Sequence, residues 1–114
     1  MSNAVEIEVG ILTQKELCIA NGKFPPFNSA HEGYAVILEE YEESKEALEA
    51  VELGVADIWK TVRFNLPEST YLNAKDLYED AVHLACEAIQ TAAMALKMKQ
   101  YLSTLNEVNA DELE

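Results

Sequence analysis

The stretch His31–Glu43, HEGYAVILEEYEE, decides how this chain is read. It has the pattern of an amphipathic helix start carrying a knot of carboxylates. Glu39 and Glu40 are adjacent, and Glu43 follows three residues after Glu40. Residues three or four apart are neighbours on a helix surface, so Glu40 and Glu43 point the same way and Glu39 sits beside Glu43 across one turn. Like charges at that spacing repel by roughly 0.2–0.5 kcal/mol per exposed pair. Such a cluster is tolerated on a solvated face and is useful around a cation.

Working outward, Tyr34, Ile37, Leu38, Tyr41, Leu48, Val51, Val55, Ile58 and Val62 recur at three, four and seven. That spacing predicts the core stripe of one long helix. At ~100° per residue, Glu40 falls on the shoulder of the stripe, Glu43 lies next to it and Glu39 further round. The two carboxylates three apart therefore face a neighbouring helix rather than open water.

Upstream, Ser29 and Glu32 have capping-box spacing and open this helix. Before them, Pro25-Pro26 between Phe24 and Phe27 predicts an extended loop with two aromatic anchors. A first helix is expected from about Ile7 to Asn21, although Val5, Ile7 and Val9 alternate, with Asn21-Gly22 as its stop. Downstream, the pattern passes Gly54 and Trp59 to about Phe64. Asn65-Leu66-Pro67-Glu68 predicts a break and restart, with Asn65 as a cap and Pro67 in a first turn. The last long helix is expected from Leu72 or Asn73 to Thr104, Asn73 and Asp76 offering a second cap. The whole reads as a single domain: an N-terminal helix and Pro-rich loop over residues 1–30, a helical core over 31–105, and a frayed acidic tail over 106–114.

Composition agrees with an all-helical class. Hydrophobic residues make up 49% of the chain, which excludes a disordered polymer, and only 4 glycines and 3 prolines interrupt it. The formal charge is -13, which disfavours direct contact with nucleic acid or an anionic membrane and suits a divalent-metal binder, a solubility surface or a nucleic-acid mimic. The two cysteines, Cys18 and Cys86, form no CxxC pair and are expected as buried free thiols. No secretory leader or membrane-length apolar run is present in the sequence, so a cytoplasmic location is expected.

The segment Leu84–Met98, LACEAIQTAAMALKM, is apolar almost all round, the pattern of a buried helix and often of a subunit interface. Glu87 and Gln90 lie three apart on one of its faces, His83 and Asp80 precede them on the same stripe, and Lys97 follows two turns after Gln90. A carboxylate in such a setting is costly unless it is paired or metal-bound, and few of the 8 basic residues are placed to pair with it. A hard divalent cation shared with Glu40 and Glu43 satisfies all three, since such ions take carboxylate, amide and water oxygens.

These residues resemble the MazG-like all-α nucleotide pyrophosphohydrolases. Glu39-Glu40-Tyr41-Glu42-Glu43 matches that family's EExxE motif, and Glu87-Ala88-Ile89-Gln90 stands where the family carries ExxD, with glutamine in place of aspartate. The phrases HEGYAVILEE and EAIQTAAMA resemble a phage and prophage branch, and the likeness spans roughly His31 to Lys99. The resemblance implies a helical bundle with two long helices, assembled as a homodimer or homotetramer. It implies Mg²⁺- or Mn²⁺-dependent hydrolysis of a (deoxy)nucleoside triphosphate to the monophosphate and pyrophosphate. Carried over, Glu40, Glu43 and Glu87 are metal ligands, Gln90 assists through its amide oxygen, and Glu39 is an outer ligand or orients the attacking water.

Lys97 and His83 are candidate substrate-binding residues, the lysine for phosphate charge and the histidine as an outer neighbour. Phe24, Phe27, Tyr34 and Trp59 could stack on a base or pack in the core. No Gly-rich phosphate loop, Ser/His/Asp arrangement or catalytic cysteine motif stands beside them. The competing class is a non-catalytic acidic helical interaction protein, an inhibitor or nucleic-acid mimic on a degenerate pyrophosphohydrolase scaffold. Gln90 and the net charge point to it.

Overall fold

The computed structural model describes residues 3–105. They form α1 (Asn3–Lys23), α2 (Ala30–Arg63) and α3 (Pro67–Leu105), with no strand among the described residues. The all-α class is therefore as expected. The acidic tail over 106–114 lies outside the described residues.

The end of α1 and the start of α3 differ from the sequence expectation, each for a local reason. In α1 the alternating Val5, Ile7 and Val9 are helical, and Asn21-Gly22 lies inside the helix rather than stopping it. The stop is made by Pro25. Phe24 N donates to the Ala20 carbonyl at 2.9 Å, after which Pro25 supplies no N–H and disfavours helical backbone at Phe24.

At the start of α2, Ser29 Oγ accepts from Glu32 N at 3.1 Å, the expected cap. The Glu32 carboxylate reaches one residue further than a capping box does, accepting from Asn28 N at 3.2 Å and Asn28 Nδ2 at 3.1 Å. At the other end, Leu66 N donates to the Thr61 carbonyl (2.9 Å) and Asn65 N to that of Val62 (3.1 Å), with Asn65 at φ 55°. This is a Schellman closure, and its left-handed position tolerates asparagine better than most residues. Asn65 thus ends α2 instead of capping α3.

The third helix starts at Pro67, earlier than expected. The Leu66 carbonyl accepts Thr70 N at 2.9 Å, and Pro67 fills the first helical position, where no N–H is needed. Asn73 is consequently a helix-interior residue, and its Nδ2 donates to the Asp57 carbonyl at 3.2 Å.

Backbone contacts group the described residues into two compact units: Tyr41–Ala88, and residues 3–40 together with 89–105. The unit Tyr41–Ala88 is a helical hairpin. Near its turn, Thr70 Oγ1 donates to Thr61 Oγ1 at 2.8 Å. Further along, a Cβ built on Gly54 would lie 3.2 Å from Leu77 Cδ1, so the missing side chain is what admits Leu77. Ala47 is buried in the same unit.

The other unit is held around Leu17, Phe27 and Ala93, all buried. Phe27 meets Tyr101 edge-on, with centroids 6.5 Å apart at 79°. Gly33 admits Met98, whose Sδ would stand 2.5 Å from any Cβ there.

These close approaches overturn the expected α2 stripe. Small or short residues, Gly33, Ser44, Ala47, Gly54 and Thr61, lie on its half-buried to buried face together with Ile37, Val51 and Ile58. Tyr34, Leu38, Tyr41, Leu48, Val55 and Val62 stand one position round and are exposed within the chain. Cys18 and Cys86 are free thiols as expected, but both are exposed, because the faces they occupy are not covered by the chain's own helices. The segment Leu84–Met98 is likewise not enclosed: Ala93 and Lys97 are its buried residues. No helix among the described residues is long and apolar enough to cross a membrane.

Candidate functional site

The seam face of α2 carries Glu40 between Ile37 and Ser44, and Glu43 follows on the next turn. On α3, Glu87 is presented toward them. Glu40, Glu43 and Glu87 each offer a carboxylate oxygen, and these oxygens all lie within 4.8 Å of one another. Glu43 is exposed, whereas Glu40 and Glu87 are half-buried. The Glu87 side chain keeps 13% of its surface, with Oε1 3.5 Å from His83 Nε2. One oxygen each of Glu40 and Glu87, Oε2, is enclosed and accepts no hydrogen bond, although both residues interact elsewhere.

The donor set fits a hard cation. All three ligand candidates are carboxylates, with no thiolate in the group, which suits Mg²⁺, Mn²⁺ or Ca²⁺ rather than a soft metal. Two oxygens on one Mg²⁺ at about 2.1 Å stand at most about 4.2 Å apart. A pair at the upper end of the 4.8 Å spread would have to draw slightly closer to share one ion.

The remaining expected residues divide. Glu39 is exposed and outside the three-carboxylate group. It lines a cleft of about 540 Å³, together with Gln90, Lys97 and Glu40. His83 does not line it; its side chain is 63% exposed and turned to Glu87.

Lys97 is buried, its Nζ donating to the Pro25 carbonyl at 3.0 Å and standing 4.7 Å from the Phe27 ring centroid. It pins the Phe24–Phe27 loop to α3, leaving two N–H groups for other partners. Lys97→Met keeps the aliphatic stem and removes both polar contacts. It should lower stability by about 1–2 kcal/mol, read as a shift in urea midpoint at unchanged slope.

Sequence reasoning found the carboxylates but not the whole cleft. Glu16 and Ile19 of α1, with Val36 and Met94, also line it. The available signal was the helical spacing of Thr13, Glu16, Leu17 and Ala20, which puts Glu16 on the only face of α1 that is covered. Phe24 and Phe27, expected as stacking or core residues, take one role each: Phe27 is buried and Phe24 is an exposed wall.

No family model, curated protein or solved structure matches the chain.

Proposed function

We propose that the chain is a metal-dependent nucleotide pyrophosphohydrolase of the MazG-like all-α kind, cleaving a (d)NTP to the (d)NMP and pyrophosphate. The observation that carries this reading is the convergence of Glu40, Glu43 and Glu87 within 4.8 Å. Glu87 is remote from the other two in sequence, yet its carboxylate joins theirs. Glu40, Glu43 and Glu87 would hold Mg²⁺ or Mn²⁺, with Gln90 assisting through its amide oxygen. Bound there, a divalent ion supplies charge neutralisation for phosphate oxygens and a lower pKa for coordinated water. Glu39, exposed on the cleft wall, would orient the water and accept its proton as the anhydride between the α- and β-phosphates breaks. Lys97 would contribute positive charge from the cleft lining, within the limit set by its bond to Pro25.

The proposed working form is a homodimer or homotetramer. Val5, Ile7, Val9, Ile11 and Leu12 are all exposed, so the first half of α1 packs on little of its own chain. Most helical stability in proteins comes from a packed apolar face, and a second copy would provide one.

Purified protein incubated with a panel of nucleoside triphosphates and Mg²⁺ or Mn²⁺ should release pyrophosphate and monophosphate. Orthophosphate as the product, or no turnover with either metal across the panel, would overturn the enzyme. The second reading, a non-catalytic acidic interaction protein, is favoured by Gln90 in place of an acid and by the charge of -13; it predicts no turnover with either metal.

Metal should also act on stability. An ion bound only by the folded state adds ~2.7 kcal/mol at a hundredfold excess over its dissociation constant. Mg²⁺ or Mn²⁺ should therefore raise the melting temperature more than NaCl of matched ionic strength. Equal responses would leave only screening of the acidic surface.

A further inference from the structure

The cleft of about 540 Å³ is built from the unit containing α1, the first turns of α2 and the last turns of α3. Its size falls in the range of small-molecule sites, roughly 300–1,000 Å³. Phe24 and Met94 give it an apolar wall, and Phe24 is 62% exposed, so its ring face is available to a planar ligand.

Its polar lining is one-sided. Glu16, Glu39 and Glu40 contribute carboxylates, beside Glu32, which already accepts from Asn28, against the ammonium groups of Lys23 and Lys97, and one Lys97 N–H is already given to Pro25. Gln90 is half-buried in the wall, with its amide among the cleft's polar groups. Acceptors thus outnumber donors. A heterocycle bearing an exocyclic N–H₂ can donate into such a lining, whereas a carbonyl at the same ring position would set its oxygen against carboxylates. Glutamine and carboxylate side chains are the groups that read adenine and the cytosine amine elsewhere in recognition chemistry.

We infer that this cleft is a base-recognition pocket that selects nucleotides with an exocyclic amine, cytosine or adenine, over uracil or hypoxanthine. The inference rests on the proposed function for its choice of a nucleotide as ligand. The base lies between Phe24 and the Met94 side, and Gln90 meets its hydrogen-bonding edge. Gln90 then reads the ligand as well as, or instead of, the ion, and a metal-free measurement isolates that role.

The test uses the full chain without metal and the nucleosides cytidine, adenosine, uridine and inosine, with binding followed by ligand-observed NMR titration. Cytidine should bind about tenfold more tightly than uridine, and adenosine than inosine, the size of one good hydrogen-bonding contact. Gln90→Leu should reduce that preference to less than about threefold, and Phe24→Ala should weaken all binding nucleosides alike, as loss of a stacking face does. Circular dichroism checks that each variant is folded. Uridine and inosine binding as well as their amine counterparts, or no nucleoside binding by the folded chain, would overturn the pocket.

Pyrophosphate release with Mg²⁺, measured in parallel, scores the enzymatic reading separately. Turnover without amine preference sinks the pocket and spares the hydrolase. Amine-selective nucleoside binding without turnover supports the pocket and sinks the hydrolase.

Discussion

Glu43→Gln and Glu87→Gln should each abolish the Mg²⁺-dependent rise in melting temperature, and the double variant should lose no more than either alone. The two residues sit on different helices but offer oxygens to the same point, within 4.8 Å. Glutamine keeps the shape and one carbonyl oxygen while removing the charge, so each variant disables the shared site without emptying space. Two changes that disable one site are strongly non-additive. Without metal, both variants should be neutral or more stable, because each relieves repulsion among three clustered carboxylates. Gln90→Asp runs the other way: it supplies the acid usual in the resembled family, so it should tighten metal binding, raise any hydrolysis and lower metal-free stability. The outcomes separate the readings. A cluster of merely solvated acids predicts no effect of Glu87→Gln on the metal response. A structural role for Glu87 beside His83 predicts destabilisation with no metal present. Additive, metal-independent effects would remove the shared site and with it the basis for hydrolysis.

The grouping of Glu40, Glu43 and Glu87 was legible in the sequence because its chemistry is local and its spacing is helical. Glu40 and Glu43 lie one turn apart, and Glu87 stands out as a charge in the apolar run Leu84–Met98. The helical class was legible for the same reason, from periodicity and the scarcity of breakers. What periodicity could not show is which of two neighbouring stripes on α2 meets the chain's own helices. Tyr34, Tyr41, Leu48 and Val55 look like core by hydrophobicity, yet close approach selects the Gly33, Ser44, Ala47 and Gly54 face, where a missing side chain lets Leu77 or Met98 in. Cys18 and Cys86 are exposed for the same reason: apolar surroundings in sequence do not amount to enclosure within one chain. Proline sets both the end of α1 and the start of α3. Pro25 outlasts Gly22 as a stop, and Pro67 starts a helix earlier than Asn73 could.

Ala93→Glu should unfold the protein, while Ala92→Glu and Ala95→Glu should act through its assembly. Ala93 has no exposed surface, so a glutamate there places an unpaired charge and four extra heavy atoms into the core around Leu17 and Phe27. Burying such a charge costs several kcal/mol, a large part of a domain stability of about 5–15 kcal/mol. Its flanking partners on α3, Ala92 and Ala95, are exposed within one chain. A single chain accommodates glutamate at either position in water, and the change becomes costly only if a second copy covers that face. The chain's own core is thin: Leu17, Phe27, Ala47 and Ala93 are the buried apolar residues among those described. Stability should therefore depend on association, and the melting temperature should rise with protein concentration. Light scattering should show a dimer or tetramer for the native chain and a shift to monomer for Ala92→Glu or Ala95→Glu, with lower melting temperatures and no concentration dependence. Ala93→Glu should instead lose helical signal at every concentration. A monomeric native chain with a cooperative, concentration-independent melt would overturn the assembly, since the exposed Val5, Ile7, Ile11, Tyr34 and Tyr41 would then be shown to need no partner.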